Sequence, residues 1–157
     1  MSDRSLTDNP LIQLVDEVSR LQGRFKTLFA DVHRETGLKA MEDLVLNAIV
    51  EADKPPTVAQ IGRSLGHPRQ VIQRAVNDLV DSGFLAKQAN PDHKRAPLFA
   101  LTTKGEALKI RSNRKALAIA DAFLRSIPSQ QCQQLANELK AVRKAMESFA
   151  RTQADDQ

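Results

Sequence analysis

Apolar positions follow a helical period along most of the chain. Leu11, Leu14, Val18, Leu21, Phe25, Leu28 and Val32 recur at alternating spacings of three and four, a heptad-like seam. Asn9-Pro10 offers an N-cap and a first-turn proline ahead of that seam, and Gly37 a C-cap behind it. The pattern predicts one long helix from Pro10 nearly to Gly37, with residues 1–8 a disordered tail. A second helix over 39–52 draws its largely buried surface from Leu44, Leu46, Ala48, Ile49 and Val50. Lys54-Pro55-Pro56 stops it, because proline lacks a donor and disfavours helix at the residue before it.

Two shorter helices follow. Thr57 caps 58–65, with Val58, Ile61 and Leu65 inward, and Gly66-His67-Pro68 makes a turn. The next helix, 68–82, carries the stripe Val71, Ile72, Ala75, Val76, Leu79 and Val80, and stops at Ser82-Gly83. Gly62 lies inside the first of the pair, where it costs about 1 kcal/mol relative to alanine; a small residue there lets the two helices cross closely. The period then changes. Phe84-Leu85 opens one short strand, Asn90-Pro91-Asp92 reads as a turn, and Leu98-Phe99-Ala100-Leu101 is the returning strand.

Thr102-Thr103 caps a long helix over 103–126, with Leu108, Leu117, Ile119, Phe123 and Leu124 at its apolar positions, until Pro128-Ser129 interrupts it. The last helix carries Cys132, Leu135, Leu139, Val142, Met146 and Phe149 on a second seam and frays after Ala150. The fold class is mainly α with a small β-hairpin. The pattern reads as a single unit over 9–157: a winged helix-turn-helix lobe at 38–101, flanked by helical segments at 9–36 and 103–152.

Composition narrows the possibilities. With six Phe and neither Trp nor Tyr, the core rests on Leu, Ile, Val and Ala, which suits helices better than a sandwich or barrel. No apolar run reaches the roughly 18 residues of a membrane span. The N-terminus shows no apolar stretch behind a basic leader, and the one cysteine, Cys132, can form neither an intrachain disulfide nor a cysteine-based zinc cage. A cytoplasmic protein is expected.

Charge is unevenly spread. Residues 1–60 hold seven Lys/Arg against ten Asp/Glu, residues 61–115 eleven against four, and residues 116–157 five of each. The positive charge therefore sits in the middle third, on the two short helices, the hairpin and the helix after it. Such a block is the footprint of a polyanion-binding surface, although a solvated basic face has the same composition.

A helix after a tight turn fits the major groove of duplex DNA, where its N-terminal side chains reach base edges. Here those are Pro68, Arg69, Gln70, Gln73 and Arg74. Arginine bonds guanine O6 and N7 bidentately, and glutamine pairs with adenine N6 and N7. Arg95, near the tip of the hairpin, is placed to enter a narrow minor groove, where negative potential concentrates. Lys87, Lys94 and Arg74 are candidate phosphate contacts. The tip sequence Asp92-His93-Lys94-Arg95 equally allows Arg95 to brace the hairpin through a salt bridge.

Several segments resemble the MarR family of bacterial transcription regulators. They are Val58-Ala59-Gln60-Ile61-Gly62-Arg63-Ser64-Leu65-Gly66, Arg69, Arg74, Leu79, Gly83-Phe84-Leu85, Asn90-Pro91-Asp92-His93-Lys94-Arg95 and Leu101-Thr102-Thr103-Lys104-Gly105. Their spacing agrees without gaps from about residue 57 to 108. Two departures stand out. The family commonly carries D-x-R at the wing, its Asp holding the Arg, whereas this chain has His93-Lys94-Arg95 with Asp92 displaced by one. The recognition helix also begins His67-Pro68-Arg69-Gln70 where a serine-rich start is common, which implies a different operator.

The resemblance implies a homodimer built from interleaved terminal helices, reading a pseudo-palindromic operator. Leu11, Leu14, Val18, Leu135, Leu139, Val142, Met146 and Phe149 are the candidate interface residues; packing of the first helix on the last within one chain is the alternative. It also implies a repressor released by a small aromatic or phenolic effector, in a cleft to which Phe25, Phe29, His33, Met41 and Arg111 are candidate contributors. Phe25 and Phe29 are equally candidates for the core.

Neither a cofactor nor a metal is expected. Cys132 has no cationic neighbour in Ser129-Gln130-Gln131-Cys132-Gln133-Gln134 and reads as a buried small hydrophobe rather than a redox sensor. The three histidines, at 33, 67 and 93, lack metal-ligand spacing, and no glycine-rich phosphate cradle or nucleophile elbow occurs. Adjacent acidic pairs such as Asp16-Glu17 diverge on a helix. Catalysis is therefore not expected. A winged-helix protein-interaction module is the competing class, against which the basic middle third argues.

Overall fold

A computed structural model describes residues 8–155 of the chain, so the expectation of a disordered tail falls, for residues 1–7, outside the described residues. Among the described residues the order is α1 (Pro10–Leu28), α2 (Ala30–Thr36), α3 (Ala40–Val50), α4 (Val58–Leu65), α5 (Arg69–Asp81), β1 (Leu85–Gln88), β2 (Leu98–Leu101), α6 (Thr103–Phe123) and α7 (Ser129–Asp155). They form two compact units that divide after Ala116, within α6.

The first helix is broken where one continuous helix was expected. Asn9 caps α1 through its side chain, which accepts from Leu11 N at 2.9 Å. Phe29 then leaves helical geometry (φ −97°, ψ 11°), and α2 starts afresh at Ala30. The break follows Thr27, whose hydroxyl donates to the Gly23 carbonyl one turn back, an arrangement that bends helices. Gly37 ends α2 in the left-handed region at φ 70°, as its position after the seam predicted.

The core of the first unit lies between α3, α4, α5 and the hairpin. Val45, Leu46 and Ile49 of α3 meet Ile61 of α4 and Ile72, Ala75, Val76 and Leu79 of α5 in one buried cluster, closed by Leu85, Phe99 and Leu108. On α3 the inward face is corrected: Leu44 and Val50 are exposed, and Glu42 and Val45 are buried instead. Positions 42, 45, 46 and 49 share one helix face, from which 44 and 50 point away. Val71 at the start of α5 is likewise exposed.

Gly66 turns α4 into α5 at φ 68°, and Pro68 is the N-cap of α5 rather than its first residue. A Cβ on Gly62 would sit 3.1 Å from the His67 carbonyl oxygen and 3.7 Å from Ile72, so the small residue does allow the close crossing. The hairpin is antiparallel with Leu85 opposite Leu101 and Lys87 opposite Phe99, and Phe99 N also donates to Pro56 O at 3.0 Å. Thr102 locks the hairpin to α6. Its hydroxyl donates to Gly83 O at 2.6 Å and accepts from Gly105 N at 3.0 Å, so it caps the helix.

On α6 only Leu108 of the expected apolar positions is buried; Leu117, Phe123 and Leu124 are exposed, and the helix stops at Phe123, short of the expected 126. Cys132 on α7 is half-buried rather than buried. No described helix is long and apolar enough to cross a membrane.

Candidate nucleic-acid interface

The start of α5 projects from the lobe. Pro68, Arg69, Gln70 and Arg74 are exposed and Gln73 is half-buried, while the opposite face of the same helix is anchored by Ile72, Ala75, Val76 and Leu79. Arg69, Gln70, Gln73, Arg74, Asn77, Asp78 and Asp81 line one shallow groove along it. The amide of Gln73 is oriented by Asn77, to which its Nε2 donates at 3.0 Å. Sequence reasoning missed Asn77, although its spacing of four from Gln73 is the helical neighbour position.

Lys39, also missed, ties the N-terminus of α3 to the recognition helix. Its ammonium lies 3.0 Å from Asp78 and 3.3 Å from Glu42. The hydrogen bond to Asp78, followed by that to Glu42, raises the Lys39 pKa above its ordinary 10.5. Nothing near Lys39 in sequence announces a partner 39 residues away.

Lys87 is exposed on β1, and Lys94 and Arg95 are exposed at the hairpin tip. Arg95 makes no ion pair among the described residues, with Asp92 or any other carboxylate, so the bracing salt bridge is absent there. The same holds for Arg69, Arg74, Lys87 and Lys94. Lys39 on the lobe, and Lys109 and Lys115 on α6, by contrast each hold a carboxylate. All five cations of the recognition helix and the wing are thus exposed and free of carboxylates among the described residues, as Lys54 and Arg63 are too. Lys104 instead braces the lobe, donating to Ser82 O at 2.7 Å and lying 4.8 Å from the Phe84 ring centre.

A cavity of about 690 Å³ opens beside α1 and α2, bounded by α3 and α6. Phe25, Phe29 and His33 line it, as expected of an effector cleft; Met41 packs on the core instead, and Arg111 is exposed and is not among the lining residues. Phe25 is itself 47% exposed, so it is not a core residue. The deepest polar feature is the Lys109–Asp43 ion pair at 3.4 Å, with Lys109 almost wholly buried. His33 Nδ1 is buried and has no hydrogen-bond partner among the described residues. Lys109 and Asp43 escaped sequence reasoning, because their convergence needs two helices distant in the chain, and Leu44, expected in the core, lines the cavity instead.

Of the proposed dimer residues, Leu11, Val18, Leu135, Leu139, Met146 and Phe149 are exposed, and Leu14 and Val142 are half-buried. Val15 and Leu21 extend the exposed row on α1.

Residues 36–96 match the family model described as the MarR family. An uncharacterized protein of Mycobacterium tuberculosis is 39% identical over 70 residues, a match covering 45% of this chain and 49% of that protein. The chain thus spans about half the length of the curated relatives it matches. Among solved structures, the regulator PcaV from Streptomyces coelicolor, in complex with its natural ligand, superposes with a TM-score of 0.71 at 23% identity, over 93% of this chain and 99% of that one. The transcriptional repressor CouR, bound to a 23-mer DNA duplex, superposes with a TM-score of 0.73 at 19% identity, over 91% and 98%. At such identities the likeness is one of fold. Residues 36–96 are thus similar in sequence to the MarR family, and the fold is similar to that of MarR-family transcriptional regulators of known structure.

Proposed function

We propose that this chain is a sequence-specific, double-stranded-DNA-binding transcription regulator that acts as a homodimer. The observation that carries the reading is a cluster of available cations: Arg69, Arg74, Lys87, Lys94 and Arg95, on the recognition helix and the wing, are all exposed and without carboxylate partners among the described residues. Arg69, Gln70 and Gln73 read base edges in the major groove, and the exposed N-terminus of α5 adds its partial positive charge toward phosphate. Arg95 enters the minor groove, while Lys87 and Lys94 contact phosphates. A related fold has been solved on a DNA duplex, which supports this mode of use.

The dimer follows from the exposed apolar rows on α1 and α7, which a second copy would cover. Two lobes one helical turn apart, about 34–36 Å, read a pseudo-palindrome. The 690 Å³ cavity is of a size for a small ligand. Phe25, Phe29 and Leu44 present apolar surface to an aromatic ring, and the unpartnered His33 Nδ1 offers a hydrogen bond to a phenolic or similar group. Occupation of the cavity releases DNA, making the protein a repressor relieved by its ligand.

The test is a mobility-shift titration against duplexes that the wild-type protein selects from a random pool. Arg69→Ala is expected to relax sequence preference among the selected duplexes. Arg95→Ala is expected to weaken binding to selected and scrambled duplexes alike. Affinity should fall steeply with salt, with a log–log slope near −0.9 for each phosphate neutralised. If no duplex is enriched and neither variant changes retention at low salt, the reading is wrong, and a protein-interaction role takes its place.

A further inference from the structure

The hairpin tip lacks the carboxylate–arginine pair that would hold Arg95, yet its backbone is tied down at a different place. We infer that Asn90 is the positioning residue for Arg95, and that its neutral side chain does the work of the missing acidic partner. The inference rests on the proposed DNA-binding reading and specifies how the wing performs it.

Asn90 sits at the base of the nine-residue connection between β1 and β2 and is half-buried, whereas residues 91–95 are all exposed. Both ends of its amide are used within the loop. Nδ2 donates to Ala96 O at 2.8 Å, and Oδ1 accepts from Asp92 N at 3.0 Å. Ala96 N in turn donates to His93 O at 3.0 Å. Both backbone polar groups of residue 96 are therefore engaged, one of them by Asn90, and the closed ring from 90 to 96 contains Arg95 next to its point of closure. The backbone that carries Arg95 is fixed while its guanidinium stays unpaired.

This arrangement differs physically from an ion-paired wing. An aspartate partner orients the arginine by holding its charge, and part of that interaction must be surrendered as the side chain moves to DNA. A carboxamide that grips only the backbone leaves the whole positive charge available. An amide is needed for this, since one side chain must both donate to a carbonyl and accept from an N–H. Asn-Pro-Asp is also a turn former in its own right, Pro91 restricting the loop as it leaves Asn90.

The experiment measures anisotropy of a fluorescein-labelled, A·T-rich duplex of about 30 base pairs, roughly three helical turns, with wild-type protein and the variants Arg95→Ala, Asn90→Ala, Asn90→Asp and Asn90→Ala/Arg95→Ala. Loss of one or two such hydrogen bonds should weaken binding by Asn90→Ala about three- to tenfold. Asn90→Asp keeps the acceptor but loses the donor to Ala96, and should also weaken binding. The double variant should bind no worse than Arg95→Ala alone, because Asn90 acts through Arg95. Amide hydrogen exchange supplies a readout independent of DNA: the Asp92 N–H should lose protection in Asn90→Ala, and keep it in Arg95→Ala and Asn90→Asp.

Wild-type affinity in Asn90→Ala, with Arg95→Ala weakened, overturns the inference while leaving DNA binding intact. So does a double variant whose losses simply add, since Asn90 then acts elsewhere. Failure of the wild-type protein to bind the duplex at low salt removes the DNA-binding reading itself, and the positioning role with it. Should Asn90→Ala fail to fold, Asn90→Asp, nearly the same in shape, carries the comparison alone.

Discussion

Replacing Gly105 with alanine sets two effects of opposite sign against each other. Gly105 lies in the first turn of α6, and alanine is favoured over glycine within a helix by about 0.8–1 kcal/mol. On propensity alone the substitution stabilises. The structure predicts the reverse. A Cβ at Gly105 would lie 2.2 Å from the Phe84 carbonyl oxygen and 3.1 Å from its carbon. That oxygen cannot swing away, because it accepts from Thr102 N at 3.0 Å and lies 3.3 Å from the Thr102 hydroxyl. Relief requires the start of the hairpin and the start of α6 to separate by about 1 Å, an overpacking whose cost reaches about 3 kcal/mol when backbone must move. Subtracting the propensity gain leaves about 2 kcal/mol of net destabilisation, or roughly 4–8 °C in Tm for a chain of this size. Urea melts of both proteins at one fixed concentration read the difference as a lower midpoint at unchanged m, the concentration being held because the proposed dimer would contribute to apparent stability. An unchanged or raised midpoint would show that the Phe84–Gly105 contact is softer than its geometry states, and would refute the reasoning.

Two further outcomes are expected. Asp43→Ala leaves Lys109 buried without its partner and should cost about 3 kcal/mol, whereas Asp43→Leu with Lys109→Met, which replaces the pair by apolar groups, should recover most of that loss; a single variant within about 0.5 kcal/mol of wild type would contradict the burial of the pair. Leu139→Glu places a charge in the exposed row of α7 and should lower the sedimenting mass to that of one chain at micromolar concentration; an unaltered mass would exclude this row from the assembly.

What the sequence made legible were features whose cause is local. Thr57 caps α4 as expected, with Gln60 completing a capping box through Thr57 N, which donates to it at 2.8 Å, and Gly37 and Gly66 take the left-handed conformation. The hairpin strands run where the turn signal at Asn90-Pro91-Asp92 placed them. Features that arise from distant residues were not legible. The seam through Val32 gives no sign that Phe29 interrupts it, because the apolar spacing continues unbroken across the joint. Lys109 looked like one more basic residue of the middle third until Asp43, 66 residues earlier, came to lie against it. Leu44 and Val50 satisfied an apolar count on α3, but only packing against α5 decides which arc of that helix faces inward. At the candidate site the reading-helix and wing-tip residues lie exposed on the lobe, Gln73 half-buried excepted, while Asn90 was read only as part of a turn and Lys39 was missed.

The interruption at Phe29 has a mechanical meaning. Phe25 and Phe29 flank the joint between α1 and α2, and both line the 690 Å³ cavity. Val32, three residues beyond the joint, is buried, whereas Leu21 and Phe25 ahead of it are exposed. A continuous rod pushed near its middle translates as a whole, and its displacement is the same at both ends. A jointed rod pushed at the joint changes angle, and the displacement grows with distance along each arm. The 19 residues of α1 form such an arm, about 28 Å long at 1.5 Å per residue. A change of about 5° at Phe29 therefore moves the far end of α1 by about 2.5 Å, so the proposed effector, a molecule far smaller than the protein, would act with the leverage of a whole helix when seated against two phenylalanines.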